Sequence, residues 1–198
     1  MTRMTRRVLL AGCAALLAGC SRGQRQPVFL ATDITSVDWG RDFRLTDHHG
    51  RVRTLADFRG KVVMLFFGYT HCPDMCPTTL ARMAAVVEHL GPQGQRVQGL
   101  FVTVDPQRDT PELLAHYVPA FHASFLGLRG DAAVTAETAK DFKVFYQAQK
   151  PGAGDHYTVD HMGGIFAFDP TGRLRLYIRP DAPVEAIAQD LQALLEPA

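Results

Sequence analysis

The sequence has 198 residues, of which 46% are hydrophobic and 21% charged, and its formal net charge is +1. A chain of this length has room for one domain with a buried core and some additional residues at its ends. The near-neutral charge, without a basic stripe along the chain, gives no reason to expect a nucleic-acid partner.

The N-terminus has the pattern of a lipoprotein signal peptide. Three arginines precede an apolar stretch over residues 8–19, which is too short to cross a bilayer as a helix. Residues 17–20 (LAGC) resemble a lipobox, in which cleavage precedes a cysteine that becomes lipidated. Residues 10–13 repeat these letters after a much shorter apolar stretch, so Cys20 is the predicted lipidation site. The alternatives are an uncleaved anchor and simple secretion.

A lipidated Cys20 predicts a protein on the periplasmic side of a bacterial membrane, held there by its N-terminal lipid. Loss of residues 1–19 removes three arginines and no acid, which changes the formal charge from +1 to −2. Disulfides persist in this oxidising compartment. We predict three parts: a signal peptide over residues 1–19, a tether over residues 20–38 and one domain over residues 39–198.

Strand and helix patterns alternate through the predicted domain. Polar and apolar residues alternate around His49 and Gly50, which predicts a hairpin. Continuous apolar runs over residues 61–69 and 97–104 predict strands buried on both faces. The other predicted elements are helices over residues 77–90, 111–121, 132–145 and 183–195, and strands over residues 124–128, 165–168 and 174–178. This order predicts an α/β fold with a mostly parallel central sheet, an antiparallel edge hairpin and helices on both faces.

Cys72 and Cys76 lie between the first buried strand and the helix that follows it. Ligands in open α/β sheets bind beyond the carboxyl ends of the strands. A helix N-terminus carries partial positive charge, which favours a thiolate over a thiol. We therefore expect at least one of these thiols to be unusually acidic. A thiolate is both a nucleophile and a soft-metal ligand.

Three interpretations compete for this cysteine pair: a structural disulfide, a dithiol redox couple and a pair of metal ligands. A structural disulfide would close a very short loop and stabilise the fold little. A dithiol redox couple fits, although such motifs usually separate the cysteines by two residues rather than three. A zinc site normally needs four ligands, and no second suitable pair exists. Two thiolates with a distant imidazole would suit copper, because soft sulfur ligands select Cu(I). The spacing alone leaves redox chemistry and copper binding open.

A copper site would need a third ligand from the eight histidines. His48 and His49 lie at the predicted hairpin turn and are most simply solvated. His161 lies just before the strand that begins at Ile165, in a loop that could return to the edge of the sheet where the cysteines lie. The neighbouring carboxylate of Asp160 is a candidate hydrogen-bond partner for this imidazole.

Three stretches together resemble the Sco/SenC family of copper-binding, thioredoxin-like proteins. They are GYTHCPDMCP at residues 68–77, VDPQRDTP at residues 104–111 and VDH at residues 159–161. The likeness covers nearly all of residues 39–198 in the family's order. It implies a thioredoxin-like fold and a copper site, for Cu(I), Cu(II) or both, formed by Cys72, Cys76 and His161.

The resemblance implies two related functions. As a metallochaperone, the protein would deliver copper to the binuclear site in the copper-site subunit of cytochrome c oxidase. As a thiol–disulfide oxidoreductase, it would reduce the cysteines of that site, with Cys72 attacking and Cys76 resolving to a Cys72–Cys76 disulfide. Other copper carriers and thiol reductants are further candidate partners. A peroxidase is a third hypothesis, but Cys76 and the VDH stretch argue against it.

The segment after His161 departs from the family pattern, because Met162, Gly163 and Gly164 follow it. The two glycines predict a loosened loop around the imidazole. Met75 and Met162 are predicted to pack beside the site rather than to bind metal. Asp105 and Asp109 follow the second buried strand and are predicted to cap the loop and the helix start there.

Overall fold

A sheet of eight strands organises the residues that this computed structural model describes, which are 28–149 and 157–196. The strands are β1 (Thr32–Asp33), β2 (Leu45–Asp47), β3 (Val52–Arg53), β4 (Val62–Gly68), β5 (Val97–Thr103), β6 (Leu126–Arg129), β7 (Tyr146–Ala148), β8 (Val159–His161), β9 (Ile165–Phe168) and β10 (Leu174–Ile178). The α-helices are α1 (Met75–His89), α2 (Pro111–Tyr117), α3 (Ala132–Asp141) and α4 (Val184–Leu195). Short 3-10 helices cover Leu55–Phe58 and Gly91–Arg96.

The strand order in the main sheet is β1-β10-β9-β4-β5-β6-β2-β3. The three central strands β4, β5 and β6 are parallel, and the strands on both sides of them pair antiparallel. The β4–α1–β5 unit and the later β9–β10 hairpin with α4 form the predicted thioredoxin-like arrangement. β7 and β8 form a separate two-stranded sheet.

Side chains of the central strands fill a core on both faces of the sheet. All residues of β4 and β5 are buried, as their continuous apolar runs predict. Phe66 packs with Phe101 on one face, where α1 and α2 lie. Phe67 points to the other face and packs with Phe142, which follows α3. Helices therefore flank the sheet on both sides, as predicted.

Most predicted elements lie where the sequence places them; the differences are at element ends and in the short strands β1, β7 and β8, which the sequence does not predict. α1 begins at Met75 rather than at residue 77, so Cys76 lies within its first turn. α3 ends at Asp141 rather than at residue 145, because Phe142 turns into the core and Lys143 adopts a left-handed backbone with φ 57°. α2 ends at Tyr117, four residues before the predicted end.

The segment before residue 39, predicted as a tether, contacts the sheet over its described part. β1 pairs with β10, and the backbone N–H groups of Leu30 and Ala31 donate to the carboxylate of Asp190 at 2.9 and 2.7 Å. The predicted signal peptide and Cys20 lie outside the described residues, and the domain boundary stays a prediction. Within the described ranges, no helix has the length and apolarity needed to cross a membrane.

Candidate metal centre

Cys72, Cys76 and His161 come together beyond the carboxyl end of β4. The two Sγ atoms and one imidazole nitrogen all lie within 4.8 Å of one another. His161 Nε2 is 3.3 Å from Cys76 Sγ. The backbone N–H of Cys76 donates to Cys72 Sγ at 3.4 Å, a contact that belongs to the first turn of α1. Folding thus joins two thiols from one end of β4 to an imidazole that is distant in sequence.

The two cysteines differ in their surroundings. Cys76 is fully buried against Gly68, where an added Cβ would lie 2.8 Å from the Sγ atom. Burial raises the pKa of the Cys76 thiol, so Cys76 is not an unusually acidic thiol, and the expectation of one in this pair stays a prediction. Cys72 is half-buried and closer to solvent. A metal that takes Cys76 as a thiolate must therefore displace its proton.

The hydrogen bonds of His161 leave one ring nitrogen free to bind. Nδ1 lies 3.0 Å from the carbonyl oxygen of Met162 and donates its proton there. Nε2 then carries the lone pair that faces Cys76 Sγ. Burial lowers the pKa of His161, which keeps the ring neutral. The ring also packs edge-on against Tyr69 and Phe66, with centroids at 5.8 and 6.0 Å.

Asp160 does not support His161 as the sequence suggests. Alternation along β8 puts Asp160 on the exposed side, whereas Val159 and His161 face inward. The Asp160 carboxylate instead accepts a hydrogen bond from the side-chain amide of Gln149 on the neighbouring strand segment. The backbone carbonyl of Met162 has the role that was expected for Asp160.

Asp109 connects the loop that carries Cys72 to the end of β5. Its buried carboxylate accepts hydrogen bonds from the hydroxyl groups of Thr70 and Thr103, each at 2.6 Å, and from the backbone N–H of Thr70 at 3.1 Å. The helix cap predicted for Asp109 belongs to Thr110, whose side chain accepts from the backbone N–H of Leu113. Asp109 therefore fixes the loop rather than the helix.

A second group of residues holds the segment that leads to His161. The Arg108 guanidinium lies over the Tyr157 ring, 3.5 Å from its centroid, and donates through Nε to Asp105. The Tyr157 hydroxyl donates to the other Asp105 oxygen at 2.8 Å. Tyr157 was not among the site residues predicted from the sequence. The only sequence feature that hinted at its contacts with Arg108 and Asp105 was an aromatic side chain close to His161 in the chain.

Gly163 and Gly164 fit close neighbours and do not loosen the loop as expected. An added Cβ at Gly163 would overlap the Met75 Sδ atom, and one at Gly164 would overlap the Tyr177 ring. Both glycines lie outside the left-handed φ region. A glycine at each position leaves room for a neighbouring side chain and is not required by the backbone conformation. Met75 therefore packs directly on the backbone of Gly163, and Tyr177 packs directly on that of Gly164.

The centre offers two sulfur donors and one imidazole nitrogen, a set that suits a soft metal ion. Within residues 28–149 and 157–196, it is the one group of three such side chains close enough to share an ion. Both thiols are free in the structure. The Cys72–Cys76 disulfide stays a prediction, as does the role of the three residues as ligands.

Comparisons with known proteins agree on one family. The SCO1/SenC family model matches residues 31–196. The mitochondrial SCO2 homolog of Bos taurus is 41% identical over 180 residues, which cover 90% of this chain and 67% of the relative. The apo Sco1 solution structure from Thermus thermophilus is 42% identical, has a TM-score of 0.75 and is matched over 84% of this chain and 97% of its own. The copper-bound ScoI of Bradyrhizobium japonicum is 36% identical, with a TM-score of 0.70 over 76% of this chain and 96% of its own.

Proposed function

The chain belongs to the SCO1/SenC family, and from this premise we propose that it binds copper through Cys72, Cys76 and His161 during the assembly of cytochrome c oxidase. One observation carries the proposal: the lone pair of His161 Nε2 lies 3.3 Å from Cys76 Sγ, with Cys72 Sγ close to both. The copper-bound relative from Bradyrhizobium japonicum supports the choice of metal.

The donor set favours copper over the other common metals. Soft thiolates select Cu(I), and an imidazole suits both copper oxidation states. A structural zinc site ordinarily has four protein ligands, and this centre offers three. A three-point site close to the protein surface, with Cys72 half-buried, is also suited to passing the ion to another protein.

The first experiment measures Cu(I) binding by the reduced protein. We expect one copper ion per chain for the wild type, and loss of that ion in Cys72→Ser and Cys76→Ser. His161→Ala should weaken binding, because it removes one of three donors. His89→Ala is the matched control, since His89 is exposed at the end of α1. If His161→Ala binds as tightly as the wild type, His161 is not a ligand.

Delivery of copper to the binuclear site of the oxidase is the specific role that we propose. The alternative is reduction of that site's cysteines, for which half-buried Cys72 would attack and nearby Cys76 would resolve. Burial of Cys76 and its raised pKa disfavour thiol exchange, whereas a metal can displace the proton.

An assembly assay separates delivery from reduction. Cells that lack the gene are complemented with wild type, His161→Ala or Cys72→Ser, and the copper content of the oxidase is measured. Delivery predicts that both variants fail, because both remove a copper ligand. If His161→Ala restores the oxidase and only Cys72→Ser fails, reduction is the better account of the function.

We further propose that a lipid on Cys20 holds the domain at the periplasmic face of a bacterial membrane, after cleavage of residues 1–19. The lipobox pattern at residues 17–20 supports this proposal. Mass spectrometry of the membrane-extracted protein should find acyl chains on a new N-terminal Cys20. Cys20→Ala should release the protein from the membrane, whereas Cys13→Ala should not. Equal membrane retention of both variants would contradict lipidation at this residue.

A further inference from the structure

The strand that carries His161 is not part of the main sheet. β8 pairs with β7 alone, whereas Cys76 lies in α1 against β4. Backbone pairing with the sheet resumes at Ile165, four residues after His161. The distance between the imidazole and the two sulfurs therefore depends on the packing of the His161 ring on Tyr69 and Phe66, and on contacts that hold β8 and the segment between His161 and Ile165 against the rest of the domain.

Met75 makes such a contact from the other half of the site. It is the first residue of α1, directly before Cys76, and 39% of it is exposed. Its Sδ atom lies against the backbone of Gly163, two residues after His161. The Met75 side chain thus spans from the helix that bears one proposed ligand to the segment that bears another.

Gly163 is the residue that allows this contact. An added Cβ would overlap Met75 Sδ and would lie 3.1 Å from Pro180 Cγ, so the thioether occupies the space where a side chain would be. Because Gly163 has no left-handed φ, the backbone alone does not require a glycine there. Met75 and Gly163 are matched in shape.

We propose that Met75 is a positioning residue, which packs on Gly163 and so holds His161 Nε2 within bonding reach of a metal bound by Cys72 and Cys76. This inference rests on the proposed copper site and deepens it. It assigns the effect to the volume of the Met75 side chain rather than to its sulfur, because the contact described is packing against a backbone.

The test compares three variants of the full protein in a competition assay between the reduced protein and a chromophoric Cu(I) chelator. Met75→Ala removes the packing, and we expect a loss of about tenfold in Cu(I) affinity, as is typical when support for a metal ligand is removed. Met75→Leu keeps a similar volume without sulfur and should bind like the wild type. Gly163→Ala pushes the thioether away and should weaken binding like Met75→Ala.

A double-mutant cycle and a spectroscopic measurement identify the cause. In a His161→Ala background, Met75→Ala should cause no further loss, because its effect acts through His161. X-ray absorption of the copper-loaded protein should give one nitrogen donor for the wild type and Met75→Leu, with less nitrogen for Met75→Ala. Thermal unfolding of each variant checks that the fold is intact.

Three results would overturn the inference. Wild-type affinity in Met75→Ala would show that the contact does not position the imidazole. An equal loss in Met75→Leu and Met75→Ala would assign the effect to the sulfur. A loss that persists without His161 would show that Met75 acts on the cysteines. Failure of the copper proposal itself would differ from all three, since the wild type would then bind no copper or would be unaffected by His161→Ala.

Discussion

At the scale of single residues, His48 illustrates how burial fixes a protonation state. Its side chain is almost fully buried, and Nδ1 accepts a hydrogen bond from the backbone N–H of Gly127 at 3.0 Å. Nε2 therefore carries the proton and faces His49 Nε2 at 3.1 Å. Burial and the neighbouring His49 lower the pKa of His48, although Asp47 opposes them. The expectation that His48 is simply solvated is wrong.

This arrangement predicts acid destabilisation of the fold. The pKa of His48 is lower in the folded state than its ordinary value of 6.5, so the unfolded state binds the proton first as the pH falls. The contribution of His48 to the free energy of unfolding is complete above pH 6.5 and decreases as the pH falls below that value. Urea denaturation between pH 7.5 and 5 measures it.

His48→Asn is the variant for this measurement, because an amide oxygen can accept from Gly127 and does not titrate in this range. The difference in unfolding free energy between wild type and His48→Asn should shift in favour of the variant as the pH falls. His122→Asn, at a more exposed position, is the control and should give a smaller shift. A pH-independent difference for His48→Asn would contradict the assignment.

At the scale of elements, the loop between β4 and α1 depends on one carboxylate from the loop after β5. Asp109→Ala would leave the Thr70 N–H and the Thr103 hydroxyl without their buried acceptor. We expect a loss of about 3 kcal/mol in unfolding free energy, since each buried unpaired group costs about 1–3 kcal/mol. Chemical denaturation measures the loss, and hydrogen exchange at Thr70 should accelerate.

The control for Asp109 is Asp38→Ala, because Asp38 is exposed. It should change the unfolding free energy by less than about 0.5 kcal/mol, as is usual for surface substitutions. Equal effects of the two substitutions would mean that the Asp109 hydrogen bonds do not hold the loop.

The elements with strong periodicity are the ones that the sequence predicts well. The apolar runs of β4 and β5 and the turn between β9 and β10 need no knowledge of distant contacts. β7 and β8 were not predicted, because three-residue strands with polar positions carry no distinct pattern. The inward direction of His161 follows from this pairing and was therefore not predictable, although its approach to the cysteines was.

Packing against distant residues limited the predictions around the site. The role of Gly163 depends on Met75, and that of Gly164 depends on Tyr177, both far away in sequence. The raised pKa of Cys76 likewise follows from its burial, which helix position alone does not reveal. The proposed ligand residues were predicted from resemblance, whereas the contacts that support them could be identified only from the fold.

At the scale of the whole molecule, Asp190 joins the two ends of the described chain. Its carboxylate, on α4, accepts from the consecutive N–H groups of Leu30 and Ala31 and is itself buried. Asp190→Ala should destabilise the fold by about 1–3 kcal/mol, because both donors lose their acceptor. Asp181→Ala, which removes an exposed partner of Arg179, is the control and should have little effect on the melting temperature.

Thermal unfolding measures both variants. A decrease in melting temperature for Asp190→Ala that is no larger than that for Asp181→Ala would contradict the prediction. A further measurement is proteolysis of the native protein: cleavage near residue 30 should be faster in Asp190→Ala, because the backbone of Leu30 and Ala31 then loses its hydrogen bonds to α4.

The pairing of β1 with β10 also determines the direction in which the chain enters the sheet. Thr32 lies opposite Tyr177, and Ile178 lies opposite Ile165, which in turn pairs with Phe66 near the cysteines. β1 therefore runs antiparallel to β10, away from the edge of the sheet that bears the three donor atoms. If a lipid is attached to Cys20, the stretch to residue 28 reaches at most about 30 Å. Because the chain enters β1 from the half of the sheet nearer the proposed ligands, a recipient protein in the membrane to which we propose Cys20 is anchored could reach the proposed copper site without a rotation of the domain.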